Sequence, residues 1–89
     1  MDFEFDPKKS EKNKGKHGID FKEGQALWND PNALVFRVRV EGEPRFALLA
    51  KHGNKAWTAI YTVRSDRIRI ISIRRSRKKE EMLYESGRI

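Results

Sequence analysis

Apolar and polar positions along this chain change period several times, and each change marks an element. Phe3-Glu4-Phe5 alternates and reads as a short edge strand. Asp6-Pro7 is a helix start, with Asp as cap and Pro at the first helical position. The helix runs from about Pro7 to His17, and Gly18 ends it. It carries no large apolar residue, so Phe5, Ile19 and Phe21 on its flanks must hold it. A second helix starts at Asp20, with Glu23 placed for a capping box. Phe21, Leu27 and Trp28 supply its buried face, and Asn29-Asp30-Pro31 stops it.

Strands follow. Leu34, Phe36, Val38 and Val40 alternate with Val35, Arg37 and Arg39, the pattern of a half-buried strand. Turn residues at 41–44, 52–55 and Ser65-Asp66 separate further strands at Arg45–Lys51, Ala56–Arg64 and Arg67–Arg74. Connections this short predict an antiparallel meander of four strands. Both faces of the last strand are mixed in character, which predicts a central position. Ser76 caps a final helix over about Arg77–Ser86, with Gly87 as its stop. The predicted class is α+β: two N-terminal helices, a four-stranded antiparallel meander and a C-terminal helix. One domain over residues 1–89 suits this length.

Charge sharpens the picture. The net charge is +7, and between Arg64 and Lys79 eight Lys or Arg accompany one acid, Asp66. Ile68, Ile70, Ile71 and Ile73 run through the same stretch, so its arginines sit on a folded strand. Fixed cations suit phosphate, and the balance points to a polyanionic or acidic partner. Arg74 and Arg75 lead into Arg77, Lys78 and Lys79, the wrong sign for a helix N-terminus, which favours anions by about 0.3–1 kcal/mol each. Exposed amides beside these cations would take a phosphate or a partner's carboxylate. The alternative for Arg67 and Arg69 is a solvated charged face.

Without cysteine there is no disulfide or thiolate metal site. His17 and His52 are far apart in sequence and no acid cluster has ligand spacing, so neither metal nor cofactor is expected. No apolar run approaches a membrane span and no signal peptide is visible, so a cytoplasmic protein is expected. Metal-free RNA cleavage uses the substrate's own 2′-hydroxyl. It needs a base, cations on the scissile phosphate and an acid for the leaving 5′-oxygen. His17 is a candidate base or acid, because the unperturbed imidazole has a pKa near neutrality, and Lys16 adjoins it, although a histidine here also suits a helix C-terminus. Tyr61 and Tyr84 are placed either to stack on a base or donate a proton, or to pack in the core. Trp28 and Trp57 read as core.

The chain resembles the BrnT family of toxins from bacterial type II toxin–antitoxin systems. The resemblance rests on Phe3-Glu4-Phe5-Asp6-Pro7-x-Lys9, Asn13-x-x-Lys16-His17-Gly18-x-x-Phe21-x-Glu23, Asp30-Pro31 and Gly42-Glu43-Pro44-Arg45-Phe46. It continues through Tyr61-Thr62-x-Arg64, Arg69-Ile70-Ile71-Ser72-Ile73-Arg74-Arg75, and Glu80 with Tyr84, in order over about residues 3 to 85. Phe5 stands at a usual Trp, Gly24 at a usual Glu or Ala, Ile73 at a usual Ala and Glu81 at a usual Arg.

The resemblance implies a RelE-like fold and an RNA- or ribosome-directed endoribonuclease that halts translation in a stress response. It implies an antitoxin with a ribbon-helix-helix DNA-binding part, and a heterotetramer that represses their operon. On this reading His17, Arg64, Arg74 and Tyr84 are catalytic. Lys16, Arg69, Arg75, Arg77 and Lys78 hold RNA phosphate, while Glu80 and Tyr61 support them. The rival is a non-catalytic basic module that binds RNA, the ribosome or the antitoxin. A DNA-binding domain ranks last, because no helix-turn-helix pattern is present.

Overall fold

The computed structural model describes residues 1–38 and 41–87. Its elements are strand β1 (Asp2–Glu4), helix α1 (Pro7–His17), a 3₁₀ helix (Glu23–Asn29), strands β2 (Leu34–Val38), β3 (Arg45–His52), β4 (Lys55–Arg64) and β5 (Arg67–Arg75), and helix α2 (Lys78–Ser86). The predicted strand end at Arg39 and Val40 lies outside the described residues.

The α+β class holds, but the predicted architecture of two N-terminal α-helices over a four-stranded antiparallel meander does not. The sheet has five strands in the order β1-β5-β4-β3-β2. β2 to β5 form the meander, and β1 joins it parallel to β5, pairing Phe3 with Ile68 and Glu4 with Arg69. β5 lies between β1 and β4, as a central strand does, but only its first three residues have neighbours on both sides. No turn fixes the β1–β5 pairing, because the two strands lie more than 60 residues apart.

The second N-terminal helix is 3₁₀, not α. The Asp20–Glu23 capping box does form: Asp20 Oδ1 accepts from Glu23 N at 2.7 Å, and Glu23 Oε1 accepts from Asp20 N at 3.1 Å. The buried residues of this segment are Phe21, Gly24 and Leu27, a three-residue spacing. That is the 3₁₀ period, in which i and i+3 eclipse. Gly24 lies against β5, where an added Cβ would overlap the Ile73 Cδ1 methyl. The two positions that the resemblance marks as departures, Gly24 and Ile73, thus meet at one contact.

β5 carries a bulge. Ile60 pairs with Ser72 and Tyr61 with Ile70, which leaves Ile71 unmatched. The extra residue resets the parity of the strand. Ile68, Ile70 and Ile73 all join the core cluster with Trp57, Ala59, Tyr61, Phe21 and Leu27. Arg74 consequently does not share the face of Ile68 and Ile70; it sits on the opposite face, opposite Thr58.

α1 docks through polar side chains as well as through its flanks. Ser10 Oγ accepts from Phe21 N at 2.9 Å. Asn13, 7% exposed, donates to Ile19 O at 2.7 Å and Ile73 O at 2.8 Å, and accepts from Ile73 N at 3.2 Å. The Asn13 amide therefore caps the edge of β5 beyond the reach of β1, where strand N–H and C=O groups otherwise lack partners.

Candidate functional site

The cations picked out by the sequence fall into three separate places. The first is a cleft between α1 and the β5 bulge, about 270 Å³ in volume. Lys9, Lys12, Lys16 and His17 line it from α1, and Ile71 and Ser72 from β5. The helical spacing of Lys9, Lys12 and Lys16 flanks the Asn13 peg, so the contact that fixes α1 also aims these side chains. No carboxylate is among the lining residues. Lys14 differs from its neighbours: its ammonium is 2.6 Å from Glu23, and that hydrogen bond raises its pKa.

The second place is the β5–α2 junction. The Arg74 guanidinium forks onto Glu80, at 2.7 Å to Oε1 and 2.9 Å to Oε2. Glu80 Oε1 also accepts from Arg77 N at 2.7 Å and Thr58 Oγ1 at 3.1 Å. The Arg74 contact, ahead of the Arg77 amide, pushes the Glu80 carboxyl down to about 2. Arg77, not Ser76, is the residue immediately before the helix; Ser76 Oγ instead meets Thr58 Oγ1 at 2.9 Å. Arg75 lies on the core face, 5.5 Å from the centre of the Trp57 ring, and its Nε donates to Ala56 O. Lys78 is exposed on α2.

Tyr84 sits on α2 but is tied elsewhere. Its hydroxyl donates to Asp30 Oδ2 at 2.6 Å, and the Lys51 ammonium lies over its ring. Burial and the Asp30 carboxylate push its pKa up to about 12. Burial also opposes ionisation of Asp30, yet the Lys51 amide and the Tyr84 hydroxyl together hold its pKa below the usual value. A hydroxyl so engaged anchors a helix and is poorly suited to proton transfer at neutral pH.

The third place is the opposite end of the sheet. Arg64 pairs with Arg67 in the β4–β5 register. Arg67 and Arg74 are seven positions apart along β5, which sets Arg64 and Arg74 roughly 20 Å apart along the strand. One phosphate cannot touch both. Arg64 is itself forked onto Glu43, at 2.8 and 3.2 Å. Arg69 faces Glu4 at 3.9 Å. Tyr61 is buried, packs against Trp28 and Phe46, and burial raises its pKa.

The structure therefore brings Lys16 and His17 together and adds Lys9, Lys12 and Ser72, to which the sequence reading gave no role. The spacing of Lys9, Lys12 and Lys16 on one helix face was the available signal. Arg64 and Arg69, and separately Arg74 and Tyr84, lie in other settings. Among the described residues no three His, Cys, Asp or Glu gather as a metal site, and no helix is long and apolar enough to cross a membrane.

A family model described as ribonuclease toxin, BrnT, of type II toxin-antitoxin systems matches residues 5–80. No curated protein matches the chain significantly. With most of its length matched, the chain belongs to this family of ribonuclease toxins, whose setting implies an RNA target and an antitoxin.

Proposed function

We propose that this ribonuclease toxin is an endoribonuclease that cleaves RNA without a metal, with the scissile phosphate held in the α1–β5 cleft. One observation carries the reading: an imidazole and three lysines share a concave site that no carboxylate lines. The lysines stabilise the charge that develops on the phosphate oxygens. The substrate's 2′-oxygen attacks phosphorus and the P–O5′ bond breaks, leaving a 2′,3′-cyclic phosphate and a 5′-hydroxyl. His17 carries one of the two protons, either from the 2′-hydroxyl or to the 5′-oxygen, and solvent water carries the other. The arginine–carboxylate pairs hold the scaffold, and Arg75 or Arg77 extends the phosphate track beyond the cleft.

The physiological reading includes translation arrest in the cytoplasm and neutralisation by a ribbon-helix-helix antitoxin, in a heterotetramer that represses their operon. It is supported by the family's toxin–antitoxin setting and by the ordered motifs. The test is incubation of the purified chain with a defined mRNA in EDTA. Fragments ending in 2′,3′-cyclic phosphate are expected, and abolition of cleavage by EDTA overturns the metal-free mechanism. A second reading, RNA retention without cleavage, draws on the single histidine in the cleft. It predicts intact RNA, and retention that falls with salt as counterions compete.

A further inference from the structure

α2 has a held face and a displayed face. The held face is polar: Glu80 takes Arg74 and Thr58, Tyr84 reaches Asp30, and Glu85 meets Lys51 at 2.9 Å. No residue of the helix is buried. The displayed face carries Met82, 63% exposed, and Leu83, 36% exposed. The exposed surface of the helix around Met82 is mainly carbon. A nine-residue helix that buries nothing of its own and shows adjacent large apolar side chains has the form of an unfilled docking surface.

We propose that this face receives an amphipathic helix of the antitoxin. The proposal rests on membership in a toxin–antitoxin family and is independent of the cleavage chemistry.

Charge supports this occupant. Lys78 and Lys79 lie beside Met82 on this surface, and neither ammonium has a carboxylate partner among the described residues. A partner helix would insert apolar side chains at i, i+3 or i+4 around Met82 and set acids against Lys78 and Lys79. An acidic partner also suits a chain of net charge +7. RNA is a poorer occupant, because Met82 and Leu83 present carbon rather than cations to a phosphate. A second copy would bring another +7 to the same place.

The experiment measures the Kd of the full-length cognate antitoxin for the native chain and for Met82→Glu plus Leu83→Glu. The double variant is expected to bind at least about 30-fold more weakly, the scale of a lost hot spot, and to cleave RNA at the native rate. A Kd within about threefold of native overturns the proposal. So does an unchanged Kd with loss of RNA binding, or with conversion of a native dimer to monomer; these assign the face to RNA or to a second copy. Should circular dichroism show the double variant unfolded, Met82→Ala, at an exposed position, is read by the same criterion, with a loss of at least about fivefold expected. Because the readout is antitoxin binding, absence of RNA cleavage by the native chain would sink the catalytic reading and leave this one standing.

Discussion

The lysines of α1 and the arginines of the sheet are equally conspicuous as charge, yet the fold treats them differently. Arg64 and Arg74 each fork onto a carboxylate, and Arg69 faces one. Lys9, Lys12 and Lys16 line a cleft with His17 and no acid. A guanidinium on a rigid strand beside a well-placed Glu is readily used as a structural tie, because its planar fork matches the carboxylate. Ammonium groups on long stems along one side of a helix stay available. Cation density along a sequence therefore locates folded positive charge, while availability depends on where the acids fall in three dimensions.

The sharpest way to break this contrast is to remove the proton carrier of the cleft. His17→Ala should lower the rate of RNA cleavage by about 10²–10⁴-fold with little change in thermal stability. Lys16→Ala should lower it by up to about 10²–10³-fold if that ammonium meets the scissile phosphate. Native rates in both variants would move the chemistry out of the cleft.

The next effect tests what aims the cleft. Asn13→Ala leaves Ile73 N, Ile73 O and Ile19 O without the side chain that serves them. A loss of about 2–4 kcal/mol in urea unfolding is expected, given 1–3 kcal/mol for each buried group stranded and partial rescue by water. Asn13→Asp should be at least as damaging, since it retains the acceptor for Ile73 N but turns a carboxylate toward two carbonyls. Stability near native in both would show that α1 is held by its apolar flanks alone.

Much of this arrangement was legible beforehand, and the gaps have identifiable causes. Helix α1, its caps at Asp6 and Gly18, the Asp20–Glu23 box and the three hairpins follow from local signals that the fold keeps. The parallel β1–β5 pair has no local signal, because chain closure over more than 60 residues decides it. The bulge at Ile71 defeats strict alternation and moves Arg74 to the other face. The spacing Phe21, Gly24, Leu27 does announce a 3₁₀ helix, but only once Gly24 is counted as a buried position. Asn13 stood in the quoted motif as one polar letter, and only the structure shows that it docks a helix without large apolar residues. For the cleft, His17 and Lys16 were visible and Lys9 and Lys12 were not singled out, since a lysine-rich helix reads first as a solvated one.

At the junction the expected effect is on stability against pH. Glu80 falls from an ordinary 4.5 to about 2 in the fold, chiefly through Arg74. A lowered carboxyl pKa means that the unfolded chain binds the proton first as pH drops. The contribution is therefore complete above pH 4.5 and is lost as pH falls through about 2. A shift of this size corresponds to about 3 kcal/mol at most, and partial exposure reduces it to about 2. Glu80→Gln should accordingly flatten the acid limb of the urea midpoint between about pH 5 and pH 2. A limb as steep as native would mean that Arg74 and Glu80 are not coupled and that the guanidinium is available for phosphate after all.

The smallest expected effect is the most discriminating, because the sequence motif and the geometry disagree about it. Arg64 lies in the Tyr61-Thr62-x-Arg64 motif, whose resemblance implies a catalytic cation. In the fold it is an exposed residue at the far end of the sheet, and its pKa is raised by the Glu43 carboxylate it holds. Solvent screens such a pair, so Arg64→Ala should leave thermal stability unchanged and cleavage within about threefold of native. Adding Glu43→Ala should change nothing further, since the second substitution removes a partner already idle. If Arg64→Ala instead lowers cleavage by about 10² while folding is intact, RNA must reach that end of the sheet with its scissile phosphate. The pair with Glu43 would then be a resting state that substrate opens, and the Glu43→Ala single variant, with its arginine released, should cleave faster than native.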